Sequence, residues 1–387
     1  MRVISYNESM DNPNLTNDIS KLQWGQHYTS VESFFSIVST GKIRLTRSEF
    51  LNDPTDTRIS NIFISKFTKA HHREIVKSVK TIGGDQANIM ELIYQKAPIE
   101  KYLRFILNHI NMYVMALTRD QDSIPMWNYY GKGGMELSLD IPSFVADLST
   151  SLKVEAEEFI GLTDVTYVNE QMDLTNMELP QRLGNFFLRT ASEPDIFFKH
   201  ENFLKENHFD NSVFDLSNVA EFTTYFITSY IYSLRYLALT KKIITPEADA
   251  ETIFRTVYSN DLYIKEKYAW KSDVLLFFLM LSAALKNDSY KFEREIRIVY
   301  FNPSLNQANH LANKFDVKML QGQQYIRPYV ELAIPNLAQN IRQITLAPQT
   351  ENLPIDHHAY IEVIRDFLRQ NHFKEIDVNF SKRKIRW

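Results

Sequence analysis

The spacing of hydrophobic and polar positions along the chain predicts an alternation of short strands and helices. Apolar residues at three- and four-residue spacing over residues 31–39 indicate a helix, which Ser30 can cap and Gly41 can end. Residues 42–46 alternate like a strand. Further strands are predicted over residues 112–118, 135–140, 164–168, 323–332, 341–347 and 376–380, and further helices over 142–152, 354–371 and, in two or three pieces, 59–110.

This alternation is replaced by long apolar stretches between about residues 171 and 285. Residues 222–239 are densely aromatic with scattered Ser and Thr, which predicts a helix buried on most sides. The apolar run 274–285 is about half the length that a bilayer span needs, so it also predicts a buried helix. We therefore expect one α+β domain with its core at about residues 20–170 and 286–387, a helical insertion at 171–285, and no membrane partner.

Residues 291–300 carry an unusual charge pattern on a predicted strand. Because side chains alternate between the two faces of a strand, Glu293, Glu295 and Arg297 share one face. Arg294 shares the other face with the apolar residues. Two interpretations remain open: the three groups form one wall of a site, or they form an exposed face on which Arg297 offsets the two carboxylates.

The composition is ordinary for a globular protein with a sizeable core, and it excludes several kinds of site. The 387 residues are 44% hydrophobic and carry a net charge of −4, so any attraction to nucleic acid must be local. The absence of cysteine excludes disulfides, thiolate metal sites and a cysteine nucleophile, and it fits a cytoplasmic protein. No phosphate-binding glycine motif occurs, and the glycines at 131–134 predict a turn. The histidines at 71–72 and 357–358 lack further ligands at metal-binding spacing, so we predict no metal site.

Several short motifs follow one another in a fixed order along the chain. Each motif alone is weak, whereas the ordered set is specific. They are HYTS at residues 27–30, KIRLT at 42–46, LNDP at 51–54, LT at 117–118, IPMW at 124–127, YG at 130–131, FEREIR at 292–297, ITLAP at 344–348 and SKRKIR at 381–386.

In this order the motifs resemble a mainly bacterial domain-of-unknown-function family (number 2971), over about 260 residues from residue 26 to the C-terminus without the insertion. Ala347 stands where that family usually has Gly, and the insertion is longer than expected. The family is similar to the ADP-ribosyltransferase fold superfamily in its His–aromatic–Glu branch. The resemblance implies an ADP-ribosyltransferase-like split β-sheet core, with peripheral helices and the large helical insertion, that holds NAD in an extended cleft.

The resemblance also implies how individual residues would bind NAD. His27 would bond the adenosine ribose, the backbone at Tyr28 would bond the nicotinamide amide, and Thr29 would support that pocket. Trp127 or Tyr130 would stack on the nicotinamide ring.

The two glutamates would then carry the chemistry. Glu295 would be the catalytic carboxylate, because breaking the nicotinamide–ribose bond leaves positive charge on the ribose. Glu293 would orient the acceptor or act as a base, and Arg297 would steer the diphosphate or neutralise the pair. We expect an NAD-dependent ADP-ribosyltransferase that modifies a protein or nucleic acid, as a bacterial toxin or anti-phage effector with an antitoxin or regulator protein as a further partner.

Two other functions remain open. A metal-independent endoribonuclease would use His27 and Glu295 for acid–base cleavage and Arg297 on the phosphate, and an inactive relative would only bind a nucleotide or partner. The transferase needs Trp127 or Tyr130 beside Glu295, whereas ribonuclease chemistry does not. For both enzymes we expect His27 and Glu295 on adjacent strands facing one cleft, with Trp127 or Tyr130 at its mouth, and a position on opposite faces of the sheet would refute both.

A nucleic-acid acceptor also requires a local basic patch, because the chain as a whole is acidic. The candidates are Arg44, Arg47, Lys132 and the basic tail at 382–386. Such a tail is usually just solvated. We prefer a protein acceptor, because the net charge of −4 does not favour a polyanion.

Overall fold

The structure, a computed structural model, has a mixed α/β fold built on a mixed open sheet. Most of the predicted insertion lies outside the described residues, but positions 224, 227, 228 and 231 are helical, buried and spaced like one helix face. None of the helices in the described part of the chain combines the length and apolar character needed to cross a membrane. The described residues are 22–51, 59–83, 87–96, 98–101, 112–151, 159–169, 224, 227–228, 231, 282–301, 318–321, 326–348, 354, 356–373 and 376–383.

The secondary structure follows the predicted alternation of strands and helices. Several short elements were not predicted: the strands at Trp24–Thr29, Leu285–Asn287 and Lys318–Gln321, the helix at Leu337–Asn340, and the 3₁₀ helices at Ser48–Phe50 and Asp288–Glu293. The strands are β1 (Trp24–Thr29), β2 (Lys42–Arg47), β3 (Met112–Thr118), β4 (Met135–Asp140), β5 (Phe159–Asp164), β6 (Thr166–Val168), β7 (Leu285–Asn287), β8 (Glu295–Phe301), β9 (Lys318–Gln321), β10 (Ile326–Ala333), β11 (Ile341–Leu346) and β12 (Asp377–Phe380), and the α-helices are α1 (Val31–Thr40), α2 (Ile59–Ala70), α3 (His72–Gly83), α4 (Ala87–Lys96), α5 (Ile124–Tyr129), α6 (Ile141–Ser151), α7 (Leu337–Asn340) and α8 (His357–Gln370).

Helix α1 begins and ends where the local sequence predicts. Ser30 Oγ accepts a hydrogen bond from the Ser33 N–H at 3.2 Å and begins α1. Gly41 ends the helix in the left-handed conformation, at φ 63°, and its N–H donates to Ile37 O at 2.9 Å. Both predicted helix signals are therefore confirmed.

Strand β3 lies at the centre of the sheet and pairs with three strands. Strand β8 is antiparallel to β3 along its whole length and occupies one edge. The other edge is shared, because β1 pairs with β3 only at Gln26↔Thr118. Strand β2 joins the same edge only through Thr46 and Arg47. The parallel strands β1 and β2 thus splay apart and leave the edge of β3 open at residues 115–117.

The sheet extends from this split in two directions. Beyond β1 it continues through β4, β11 and β12, and beyond β2 through β10 and β9. Strand β5 lies outside β8, and β6 forms a separate parallel pair with β7. The β11–β12 pair is parallel, whereas the other pairs of the main sheet are antiparallel.

One face of the sheet is apolar and packs against α1, α6 and α8. Phe34, Phe144 and Leu368 from these helices belong to one buried cluster with Leu117 of β3 and Ile298 of β8. Burying such side chains stabilises the fold by about 1.5–3 kcal/mol each. Since this face holds the layers together, the opposite face of β3 and β8 is available for polar groups.

Two predicted strands differ from the observed ones. The strand expected at 291–300 begins only at Glu295, because the 3₁₀ helix before it ends at Arg294 in the left-handed conformation, with φ 41° and ψ 50°. Arg294 is therefore exposed instead of lying on the apolar face. The strand expected at 164–168 is divided between β5 and β6 at Val165, whose N–H still donates to Glu295 O at 3.1 Å.

Candidate functional site

A cavity of about 260 Å³ lies where β1 and β2 splay apart. The open edge of β3 at residues 115–117 lines its base, and β1 and β2 line two of its sides. Glu293 and Glu295 also line this cavity, as does the neighbouring Lys286. The volume is near the lower end of the range of about 300–1,000 Å³ for small-molecule sites.

His27 bridges the split between β1 and β3. Its Nδ1 lies 3.3 Å from Ala116 O, on the open edge of β3. Because a carbonyl oxygen only accepts, this bond requires the proton on Nδ1. Burial lowers the pKa of His27, although the bond to Ala116 O acts in the opposite direction. His27 therefore lines the cavity as a neutral ring whose Nε2 can accept a hydrogen bond.

The expectation that His27 and Glu295 lie on adjacent strands is wrong, because β3 separates β1 from β8. Pairing in register puts Gln26 beside Thr118 and Thr118 beside Glu295, and such paired residues share a face. His27 directly follows Gln26, so its side chain points to the opposite face of the sheet. On a continuous sheet this pleat would separate His27 from Glu295. Here the split interrupts the sheet beside β1, and both residues line the same cavity.

Two carboxylates and two cations form a buried cluster beside the cavity. Lys286 Nζ lies 2.5 Å from Glu293 Oε2 and 2.8 Å from Glu295 Oε2. Arg297 donates from Nε and Nη2 to the two oxygens of Glu295, at 2.8 and 3.1 Å, and from Nη1 to Ala283 O at 2.9 Å. These ionic side chains are only 1–6% exposed, so the interpretation of an exposed charged face is wrong. The four charges balance, which limits the cost of burying them.

The cluster moves the pKa values of the two glutamates in opposite directions. Burial acts to raise the pKa of Glu295, but the charges and hydrogen bonds of Arg297 and Lys286 outweigh it and lower this pKa to about 2. Burial raises the pKa of Glu293, the charge of Glu295 adds to the rise, and Lys286 offsets only part of it. Such a separation suits two carboxyl groups to different roles. Glu295 stays ionised, and Glu293 is the better proton acceptor.

Lys286 is the member of this cluster that the sequence analysis missed. It lies on β7, and the 3₁₀ helix that follows is capped by Asn287 Oδ1, which accepts from the Ser289 N–H at 2.9 Å. This turn brings Glu293 back onto the Lys286 ammonium. The one signal in the sequence was a lone lysine directly after the apolar run 274–285.

Tyr130 is the residue of the predicted aromatic pair that lines the cavity. Its hydroxyl donates to Glu293 Oε1 at 2.5 Å. Trp127 is fully buried instead, and its Nε1 donates to Asp122 Oδ1 at 2.8 Å. Gly131 permits this packing, because a Cβ at that position would lie 2.6 Å from Trp127 Cε3. The structure thus separates a ring that lines the cavity, Tyr130, from a fully buried one, Trp127.

Two further residues predicted to contact NAD do not line the cavity in the described part of the chain. Thr29 is buried, and its backbone oxygen lies so close to Gly134 that a side chain there would clash. Arg297 is fully buried and holds the Glu295 carboxylate, so its assignment to a phosphate is corrected. Tyr28 does line the cavity, and its bond to nicotinamide stays a prediction.

The loop before α5 is held by Asp122, which has a left-handed conformation at φ 50°. Its N–H donates to the buried Glu136 Oε2 at 2.8 Å, and burial raises the pKa of Glu136 to about 7. The Asp122 carboxylate accepts from the Ser381 hydroxyl and from the Lys382 N–H, and Arg383 Nε donates to its backbone oxygen at 2.9 Å. The described part of the C-terminal motif therefore anchors the loop that leads to the aromatic residues.

Arginines line the β2 side of the cavity. Arg44 comes from β2 and Arg327 from β10. Arg44 is held in place, since its Nε lies 3.3 Å from Glu331 Oε1 and its Nη2 donates to Ser36 Oγ at 3.2 Å. The sequence analysis considered Arg44 only for nucleic acid and did not identify Arg327. The cavity thus has carboxylates on one side and guanidinium groups on another.

Comparison of the chain with protein-family models, curated proteins and solved structures returns no match. The family resemblance stays a prediction, and the function has to be argued from the chemistry of the cavity.

Proposed function

We propose that the chain is an NAD-dependent ADP-ribosyltransferase that modifies a macromolecule. The observation that carries this proposal is the pair Glu293 and Glu295, whose pKa values are moved in opposite directions, beside Tyr130 in the sheet split. Positive charge develops on the ribose as the nicotinamide–ribose bond breaks. A carboxylate that stays ionised stabilises that charge, because it is already fixed in place before the reaction.

The groups that line the cavity match the chemical parts of NAD. Tyr130 offers an aromatic face for the nicotinamide, and Glu295 offers oxygens to the 2′-hydroxyl of its ribose. Arg327 supplies a guanidinium group of the kind that diphosphates prefer, and Arg44 also lines the cavity, although it is paired with Glu331. The neutral Nε2 of His27 can accept from a hydroxyl of the adenosine ribose.

The transfer balances with these residues. NAD supplies an activated ribose, and the electron pair of the broken C1′–N bond leaves with neutral nicotinamide. A hydroxyl or nitrogen of the acceptor forms the new bond to C1′. Its proton passes to Glu293, whose raised pKa suits it to accept a proton. Lys286 and Arg297 hold Glu295 in the ionised form throughout.

Incubation of the full chain with NAD labelled in its adenylate part and with cell lysate tests the proposal. We expect label in protein or nucleic acid, together with one released nicotinamide per label. Intact NAD and no labelled macromolecule would contradict the transferase. RNA cleavage in the absence of NAD would support the endoribonuclease instead.

Two matched variants distinguish the specific effect of losing the Glu295 carboxylate from the effect of losing any negative charge. Glu295→Gln should lower the labelling rate about a hundredfold or more while NAD binding is largely kept, because the lost interaction acts on the transition state. Asp366→Asn removes an exposed carboxylate on α8 and should keep the wild-type rate. Labelling by Glu295→Gln at the wild-type rate would show that Glu295 is not the catalytic carboxylate.

A further inference from the structure

A second groove, of about 480 Å³, lies between α3 and α4. Arg73, Lys77 and Lys80 line it from α3. These residues are four and three positions apart, so they form one face of the helix. Glu91 and Tyr94 line the groove from α4.

This groove is positively charged although the chain is acidic. Residues 59–101 contain seven Lys and Arg against four Asp and Glu, whereas the whole chain has a net charge of −4. Lys80 is paired with Glu91 at 2.9 Å. Arg73 and Lys77 are exposed, and neither makes an ion pair within the described residues. Their charges are therefore available to an anionic partner.

Tyr94 adds an aromatic surface to the cations. Its hydroxyl lies 3.2 Å from His72 Nδ1, and the two rings are tilted by 32° with centroids 5.6 Å apart. Burial, with a smaller contribution from Glu100, raises the pKa of Tyr94 to about 12, so the ring stays neutral. A cationic groove with aromatic rings is the arrangement that binds single strands, because phosphates contact the cations and bases stack on the rings.

Three of the basic residues chosen from the sequence are less suited to this task. Arg44 is paired with Glu331, and Arg47 with Glu49 at 2.8 Å. Arg383 contacts the loop at Asp122, so its charge is partly engaged. The helices α3 and α4 therefore carry the stronger basic surface.

We propose that the groove between α3 and α4 binds a single strand of nucleic acid. This inference goes beyond the transferase and does not depend on it, because binding is measured without NAD. The groove belongs to the helical segment that begins with α2, and Ser60 Oγ of α2 lies 2.8 Å from Ser282 Oγ, just before β7. Helix α2 packs against β7, and β7 carries Lys286 of the buried ionic cluster. Nucleic acid bound in the groove would therefore be held on helices that adjoin the cavity.

Fluorescence anisotropy of the full chain with labelled oligouridylate and labelled oligothymidylate measures this binding directly. Phosphate contacts to Arg73 and Lys77, the two groove cations that make no ion pair within the described residues, predict a slope of about −1.4 in log affinity against log salt, so that a fourfold rise in salt weakens binding about sevenfold. The double variant Arg73→Gln/Lys77→Gln should bring the slope close to zero. Lys42→Gln removes an exposed charge outside the groove and should change neither affinity nor slope.

The aromatic contribution is tested with a matched pair of variants. Tyr94→Leu should weaken binding about fivefold or more without changing the salt slope, whereas Tyr94→Phe keeps the ring and should bind like the wild type. Stronger binding of either oligonucleotide supports the proposal and shows which of the two the groove prefers.

Two results would overturn the inference. In the first, the double variant keeps the wild-type affinity and slope, which would place any binding elsewhere on the chain. In the second, a polyglutamate peptide competes with the affinity of the oligonucleotides and Tyr94→Leu has no effect. That combination would assign the groove to an acidic protein.

Discussion

Replacing Glu295 by Gln should destabilise the fold, because Lys286 and Arg297 would then share one buried carboxylate, that of Glu293. Folding lowers the pKa of Glu295 from 4.5 to about 2, which at about 1.4 kcal/mol per unit corresponds to about 3 kcal/mol. A second, independent figure agrees: removing one partner of a buried ion pair generally costs about 3–5 kcal/mol of stability. We therefore expect a loss of about 3 kcal/mol at neutral pH. Since the folded-state pKa is the lower one, this contribution is present above about pH 4.5 and is lost as the pH falls toward 2.

Arg297→Met completes a double-mutant cycle with Glu295→Gln. Alone it leaves two carboxylates on Lys286 and should cost a similar amount. The double variant keeps the Lys286–Glu293 ion pair in neutral surroundings, so its loss should be smaller than the sum of the single losses by at least about 2 kcal/mol.

Urea unfolding at neutral pH, followed by tryptophan fluorescence, measures all four corners of the cycle. Strictly additive losses would refute the argument, because they would mean that the two charges do not interact in the folded protein. The double variant also separates stability from chemistry. It should fold and still fail to transfer ADP-ribose, since no carboxylate remains at position 295.

Tyr130→Phe removes the hydroxyl that donates to Glu293 but keeps the ring, so the pKa of Glu293 should rise. The acidic limb of the pH profile of kcat should then move to higher pH, with an unchanged KM for NAD. A limb that does not move would count against Glu293 as the base. Trp127→Phe removes the indole N–H that donates to Asp122, so the free energy of unfolding in urea should fall by about 1–3 kcal/mol while the affinity for NAD stays unchanged. Weaker NAD binding with unchanged stability would show that Trp127 contacts the ligand instead. Burial raises the pKa of Glu136 to about 7, so the folded state binds its proton more tightly than the unfolded state and stability declines as the pH rises from about 4.5 to 7. Glu136→Gln should remove this part of the decline, and identical pH–stability curves for variant and wild type would contradict it.

Local patterning was sufficient for the strands that build the site. Strands β3 and β4 have the bounds predicted from their apolar runs, because both are buried on each side. The shared face of Glu295 and Arg297 follows from the two-residue period of a strand. What the pattern could not decide was whether that face is solvated, since exposure depends on the elements packed against it.

The remaining parts of the site depend on contacts between distant segments. His27 meets Ala116 across 89 positions, and Tyr130 meets Glu293 across 163. The turn at Arg294 has a positive φ, but no glycine stands there to indicate it in the sequence. The split itself arises because β1 and β2 share one edge of β3, and a sequence does not reveal the register of such pairings.

The anchoring of Asp122 by Ser381 has a consequence for how the protein is made. The two residues are 259 positions apart, so a ribosome adding about 5–20 residues per second needs about 13–50 s to travel from one to the other. By the end of that interval β1, β3 and β4 have all been synthesised, while the loop that leads to the aromatic residues still lacks the hydroxyl that will hold it. Translation therefore produces most strands of the cavity early and the residue that anchors the Asp122 loop late. A nascent chain cannot complete the site before residue 381 has been synthesised.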